Sequence, residues 1–534
     1  MIKRKQIIIA TIVIGIISFA FLAYTVLFAA NDSAVIKYGL DADPLNLDPQ
    51  KATDCNSLMV IQSIYEGLFK IDNDGKLTEG VVESYNLSKD KKLYTFHLKK
   101  DSGWHSINKN DFNGNIITAH DFVFAFRRLL NPTTGSVAAN NFFTIENARE
   151  VNAGNKSITD LGIYALDDFT LRIKLENPDE SFLYLLTTAP AMPCNEEFFN
   201  STTGNYGLEA DAVLSNGAFY LHEWIHDDYL RLRSNEYYKG QSPKPPGVSF
   251  LIGDSEKMQK YFDDNVTHAI LSPTSNFDTT LNSQSFESVT WGFVFGNKKR
   301  WRNADLRESL QLTVNHDIMD EYLPVEFSKA EGLIPPSISG IDTSFREFAG
   351  EILPKNDISR AKKKYKSALK QLGVEKLSKV TVIMPENTAN KYNNILIENF
   401  SHISQIWQSQ LGLFPAIKEY SLKDFEAKVK SGSFDIAIYP FTASYDSPRS
   451  VLDNFIDIKA NTPAYLQNAM NRAEKALTNK KRMENYKQAE NYIIKNHYVI
   501  PLYFQKEYFI MNKGIRDIIF FPGNKLIDFT QAYR

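Results

Sequence analysis

Ile64-Tyr65-Glu66-Gly67-Leu68 is the centre of the stretch that decides the fold. That stretch runs from Leu47-Asp48-Pro49 through Tyr94-Thr95-Phe96-His97-Leu98-Lys99 and Trp104 to Thr118-Ala119-His120-Asp121-Phe122-Val123. Val60, Ile61, Ile64, Tyr65, Leu68 and Phe69 fall on one helical face, so residues 60–69 are expected to be helical. Residues 92–99 alternate Leu93, Thr95 and His97 against Tyr94, Phe96 and Leu98, the period of a half-buried strand. A further helix starts at Thr118, whose hydroxyl serves as N-cap with Asp121 at the third helical position. Pro132 ends it.

Farther along the chain, residues 168–175 alternate as a strand and 180–186 form a short helix after Pro178. Ser215-Asn216-Gly217-Ala218-Phe219-Tyr220-Leu221 and Arg233-Ser234-Asn235-Glu236-Tyr237-Tyr238 flank a hairpin whose turn is Asp227-Asp228. Helical spacing recurs in 305–319, which contains Leu306-Arg307-Glu308-Ser309-Leu310, and again in 359–372, 393–411 and 462–496. Thr462 before Pro463 is a start signal for the last of these. Residues 381–384 and 435–439 are short apolar runs that fit buried strands. Strands and helices therefore alternate in the C-terminal half, the pattern of an α/β layered lobe.

Taken in order, these segments and residues 439–448 resemble the extracytoplasmic solute-binding proteins of ABC importers, specifically the large oligopeptide- and dipeptide-binding family. The resemblance implies an α/β, two-lobed periplasmic-binding-protein-like fold with an extra subdomain inserted in the N-terminal lobe. Residues 1–33 would be an anchor or signal segment and linker, with 34–68 and 187–290 the core of lobe I. Residues 69–186 would form the inserted subdomain, 291–505 lobe II, and 506–534 a return to lobe I. Crossings near residues 290 and 505 would make the hinge. The implied function is capture of a peptide or peptide-like solute by a monomeric receptor and its delivery to ABC permease subunits, without catalysis or cofactor. A membrane-anchored peptide sensor or pheromone receptor, and a membrane-anchored hydrolase, are the alternatives.

Composition agrees with a globular protein of more than one core: 534 residues, 43% hydrophobic and 23% charged. A formal net charge of -3 and the lack of a basic tract interleaved with aromatics exclude general affinity for nucleic acid. The stretch that begins at Ile7 and ends at Ala30 carries no charge and comes after Lys3-Arg4-Lys5. It meets the roughly 20 residues a membrane-spanning helix needs, and the preceding positive charge puts the chain beyond Asn31 outside the cell. Cleavage after Leu27-Phe28-Ala29-Ala30 would turn the same stretch into a signal peptide. Cys55 and Cys194 would face an oxidising compartment, either bridged or as two buried thiols. The positions of a disulfide found in relatives read Thr290 and Thr442.

His222-Glu223-Trp224-Ile225-His226 satisfies the H-E-x-x-H pattern of zinc proteases, but that chemistry needs a helix, and this segment alternates as a strand. No metal is expected. Candidate binding residues come from the resemblance. Phe441, Thr442, Ala443, Ser444, Tyr445 and Asp446 form the ligand loop. Ser444 stands where relatives place the aspartate that pairs with the peptide ammonium, and Ile438 where they place a base. Asp446 substitutes if the loop bends differently. Thr53, Asp54 and Cys55 would supply the opposing strand, while Tyr503 and Phe504 either face the ligand or belong to the core.

Overall fold

Two long antiparallel strands, Asn282–Phe295 and Val499–Met511, form the spine of the molecule. Their pairing runs from Asn282 opposite Met511 to Val294 opposite Val499, with a register shift between Glu287 and Val289. The structure is a computed structural model that describes residues 34–534, apart from 73–74, 108–111, 180–181, 342, 378, 387–391, 444–445, 459–462, 475, 477 and 524. The apolar stretch from Ile7 to Ala30, the Thr462 cap, and Ser444 and Tyr445 of the expected ligand loop lie outside the described residues.

Around the spine the described residues build an eleven-stranded mixed sheet. On one side of the spine lie Ile436–Phe441, Val380–Pro385 and Pro415–Tyr420; on the other lie Ala269–Ser272, Ile36–Leu40, Gly247–Ile252, Tyr229–Ser234 and Phe219–Ile225. Phe327–Lys329 pairs with Val499–Met511 off this path. Phe286 and Phe509, at one end of the spine, belong to the core of the N-terminal lobe. At the other end successive residues face opposite ways, as a strand requires. Val294, Ile383 and Ala437 enter one C-terminal core, and Phe293, Phe295, Val382, Ile436 and Ile438 enter another. A sheet covered on both faces needs apolar residues at every position, which is why 381–384 and 435–439 read as unbroken apolar runs.

The insertion is a four-stranded antiparallel sheet, Val82–Leu87, Leu93–Leu98, Thr170–Lys174 and Ile163–Asp167 in spatial order, with helix Ala119–Leu130 packed on it. Thr118 and Asp121 form the expected capping box, and Asn131 closes the helix before Pro132. Two expected helices are cut short. The one expected over 60–69 is Cys55–Ile64, because the Asn216 side chain takes both backbone groups of Glu66 (3.1 and 2.8 Å) and draws the chain out straight. The one expected over 305–319 splits into Ala304–Gln311 and His316–Asp320. Between them the Leu312 carbonyl accepts from Asp357 N and Asn356 Nδ2, both at 3.0 Å, instead of continuing the helical ladder.

Candidate ligand cleft

Three sequence segments that resemble nothing catalytic meet at one wall of a cleft. Asn216 and Gly217 donate their N–H groups to the Ile64 carbonyl at 3.0 and 2.8 Å, and Asn235 Nδ2 donates to the Gly217 carbonyl at 2.9 Å. The three segments thereby fix Glu66, whose carboxylate accepts from Tyr238 Oη at 2.8 Å and from Lys70 Nζ at 3.1 Å. Burial and the neighbouring Glu66 carboxylate push the Tyr238 phenol far above its ordinary pKa, so it stays a donor. Glu66, Lys70 and Tyr238 all line the cleft.

The opposite wall belongs to the C-terminal lobe. Asp446 accepts from Ser339 N at 2.7 Å and Ser339 Oγ at 2.6 Å, which holds its carboxylate at the cleft surface. Desolvation by the surrounding protein outweighs those two hydrogen bonds and raises its pKa. Asn454 pins Thr442 through both backbone groups, at 3.2 and 3.0 Å, and Ser447 caps the helix Pro448–Asp457. The turn after the C-terminal strand Ile519–Phe521 reaches this wall too. A Cβ on Gly523 would stand 2.4 Å from the Asp446 carboxyl carbon, so a side chain there would push the carboxylate aside. Lys525, beyond that turn, pairs at 2.5 Å with Glu507 on the spine, and Glu507 also accepts from the Ser288 hydroxyl at the register shift.

Between the walls lies a cavity of about 1800 Å³, well above the roughly 300–1,000 Å³ of a drug-sized pocket. Among the described residues its lining contains eight carboxylates and four cations. Three of those cations already face a lining carboxylate: Lys70 on Glu66, Arg449 on Asp453, and Arg482 on Asp179. The excess acid favours a ligand that brings positive charge.

The expected site residues divide sharply. Thr53 and Asp446 line the cavity. Asp54 and Cys55 do not form a strand: Asp54 caps helix Cys55–Ile64 by accepting from Ser57 N at 2.8 Å, and Cys55 is its first residue. Phe441, Tyr503 and Phe504 are all buried at 2% exposure or less in strands of the central sheet, the core alternative left open for Tyr503 and Phe504. Tyr503 packs edge-on against Phe327 at 5.2 Å, and Phe441 against Tyr439 at 5.0 Å. Ala443 packs on a C-terminal core and Thr442 is exposed but held by Asn454. Ile438, in the place of the relatives' base, is buried. Glu66, Ser339, Asp179 and Arg482 carry no sequence signal as cleft residues, although Glu66 sits in the Ile64 to Leu68 motif.

His222 and His226 lie on or just beyond strand Phe219–Ile225, and His226 is tied at 2.7 Å to Asp43. Partial burial pulls the His226 pKa down, but the Asp43 hydrogen bond outweighs it and the pKa is raised. Among the described residues no group of three His, Cys, Asp or Glu is placed to hold a metal ion. Both cysteines are free: Cys194 is buried, its thiol pushed up to about 12 by burial, whereas Cys55 is exposed, so neither the bridge nor a pair of buried thiols is found.

A family model for bacterial extracellular solute-binding proteins, family 5 Middle, matches residues 76–462. The oligopeptide-binding protein OppA of Bacillus subtilis (strain 168) is 24% identical over 518 residues, covering 93% of this chain and 92% of the relative. The dipeptide-binding protein DppE of the same organism is 24% identical over 503 residues, covering 90% and 88%. Among solved structures, the substrate-binding domain of an oligopeptide ABC transporter from Bacillus anthracis str. Ames superimposes with a TM-score of 0.77 at 25% identity, over 93% of this chain and 98% of that one.

Proposed function

The chain belongs to the bacterial extracellular solute-binding proteins of family 5, and on that premise we propose that it is a receptor whose lobes close on a peptide and present it to an ABC importer. It is a binding protein, not an enzyme. The peptide reading draws support from relatives named for oligopeptides and dipeptides, and from a cavity whose size suits an oligopeptide. The observation that carries it is Asp446: a carboxylate fixed by Ser339 on the cleft wall, two residues after the expected ammonium partner, with neutral donors as its hydrogen-bond partners. In this reading Asp446 receives the peptide ammonium, Thr53 lies on the facing wall, and Ser288 and Gln505 mark the hinge between residues 34–290 and 291–505. The same reading has the chain work as a monomer, held at the outer face of the membrane by the stretch from Ile7 to Ala30, with permease subunits as partners.

Titration calorimetry of the full chain with a tetrapeptide and its N-acetylated form tests the role of Asp446. Acetylation is expected to weaken binding to the parent at least tenfold and to make little difference to Asp446→Asn. Equal affinity of the parent for both forms would remove Asp446 from the ammonium site. Installing Ser444→Asp is then expected to restore a preference for the free amino terminus in the Asp446→Asn background.

A further inference from the structure

Asp179 and Arg482 stand 303 positions apart and come from opposite lobes. Asp179 comes after Asn177-Pro178 at the end of the inserted subdomain, between Leu175 and Phe182, which belong to the N-terminal core. Arg482 lies in the first turns of helix Asn479–Lys495, whose Met483, Tyr486, Ala489 and Ile493 anchor it in a C-terminal core. The guanidinium Nη2 donates to the Asp179 carboxylate and, at 3.4 Å, to the Ala476 carbonyl. Both residues line the cleft, yet Asp179 is only 7% and Arg482 5% exposed.

Each partner is fixed in its own lobe, so opening the cleft must part them and hydrate both charges. Closing buries them together. A buried pair that is complete roughly balances its desolvation, whereas one buried charge without its partner is strongly unfavourable. We propose that Asp179 and Arg482 form a latch that makes closure, and hence ligand affinity, depend on a contact the ligand does not make. Removing one partner penalises the closed state alone. Replacing both by apolar side chains of similar size removes that penalty and lets the lobes close again. Because apparent affinity scales with the fraction of closure-competent protein, the single change weakens binding and the double change restores it.

The proposal rests on the receptor reading only for its affinity readout; closure itself is measured without ligand. Spin labels on the full chain at the exposed Lys89→Cys and Lys376→Cys, in a Cys55→Ser background, report the interlobe distance. Arg482→Met is expected to shift the distribution away from that of the unsubstituted protein and to raise the Kd for a tetrapeptide at least tenfold. Asp179→Leu with Arg482→Met is expected to return both toward the parent. If Arg482→Met does not fold, Asp179→Asn, which keeps the side chain's size, must show the same shift. A parent-like distribution in the single variant, or a double variant as displaced as the single one, overturns the latch. Failure of every peptide to bind leaves the distance result standing and counts against the peptide reading instead.

Discussion

Three buried arginine–carboxylate pairs differ in where their two partners are anchored. In the N-terminal lobe Arg128 grips Asp48 with two nitrogens (3.1 and 2.6 Å), donates to Gln50 Oε1 at 2.6 Å and lies 4.0 Å above the Phe199 ring. In the C-terminal lobe Arg346 grips Glu490 with two bonds of 2.8 Å, and the same carboxylate accepts from Leu333 N and Ile334 N at 2.8 and 2.9 Å. Between the lobes, the Arg482 guanidinium meets Asp179 through Nη2 and adds one long bond to Ala476. Burial alone therefore does not tell a structural ion pair from one that opens; whether both partners belong to one lobe does. Inside a lobe, bidentate geometry and extra donors offset desolvation, and the pair holds the fold. Across the cleft, the proposed latch joins partners anchored in different lobes.

Four expectations bear on that contrast. Glu490→Ala strands Arg346 and two amides in a closed core, so it should cost the most, about 5 kcal/mol by chemical denaturation. Gly332 gives an independent check, because a Cβ there would stand 1.5 Å from Arg346 Nη1 and Gly332→Ala must displace the guanidinium. Arg128→Met should cost about 4 kcal/mol, since Asp48 keeps one donor, the Gln50 amide at 3.1 Å. A loss below about 1 kcal/mol at either site would erase the distinction from surface pairs.

Asp121 shows what a buried carboxylate does without a grip of this kind. Its hydrogen bonds come from the neutral donors Thr118 and Asn195, and burial outweighs them, pushing its pKa up to about 6. The protonated form is favoured in the folded state. Its contribution to stability, about 3 kcal/mol at about 1.36 per pKa unit, is thus present below about pH 4 and lost as the pH rises through about 6. The stability difference between parent and Asp121→Asn should fall across that window and flatten above it. A difference independent of pH would contradict the assignment. The smallest expected effect on stability is that of Arg482→Met, within about 1 kcal/mol, because opening rehydrates Asp179 without unfolding either lobe.

Much of this architecture is legible in the chain because local rules govern it. Thr118 and Asp121 announce their own helix, and the doubly covered sheet announces itself as apolar runs. The failures occur where a distant side chain decides. Asn216, 150 positions away, straightens the chain at Glu66, and nothing near Tyr65 signals it. Tyr503 and Phe504, left open between ligand and core by the sequence alone, are both buried in a central strand, where Tyr503 packs on Phe327. Asp446 was legible as a residue but not as a position, since its Ser339 donor lies 107 residues earlier. Arg482 carried no local signal at all.

The most direct test of the account is native mass spectrometry of the full-length protein as purified, with release and fragmentation of whatever the cleft retains. A bound species is expected whose fragments are amino-acid residues, carrying a free amino terminus and lost from Asp446→Asn. A retained species that yields no amino-acid fragments, such as a sugar or a lipid, would contradict it.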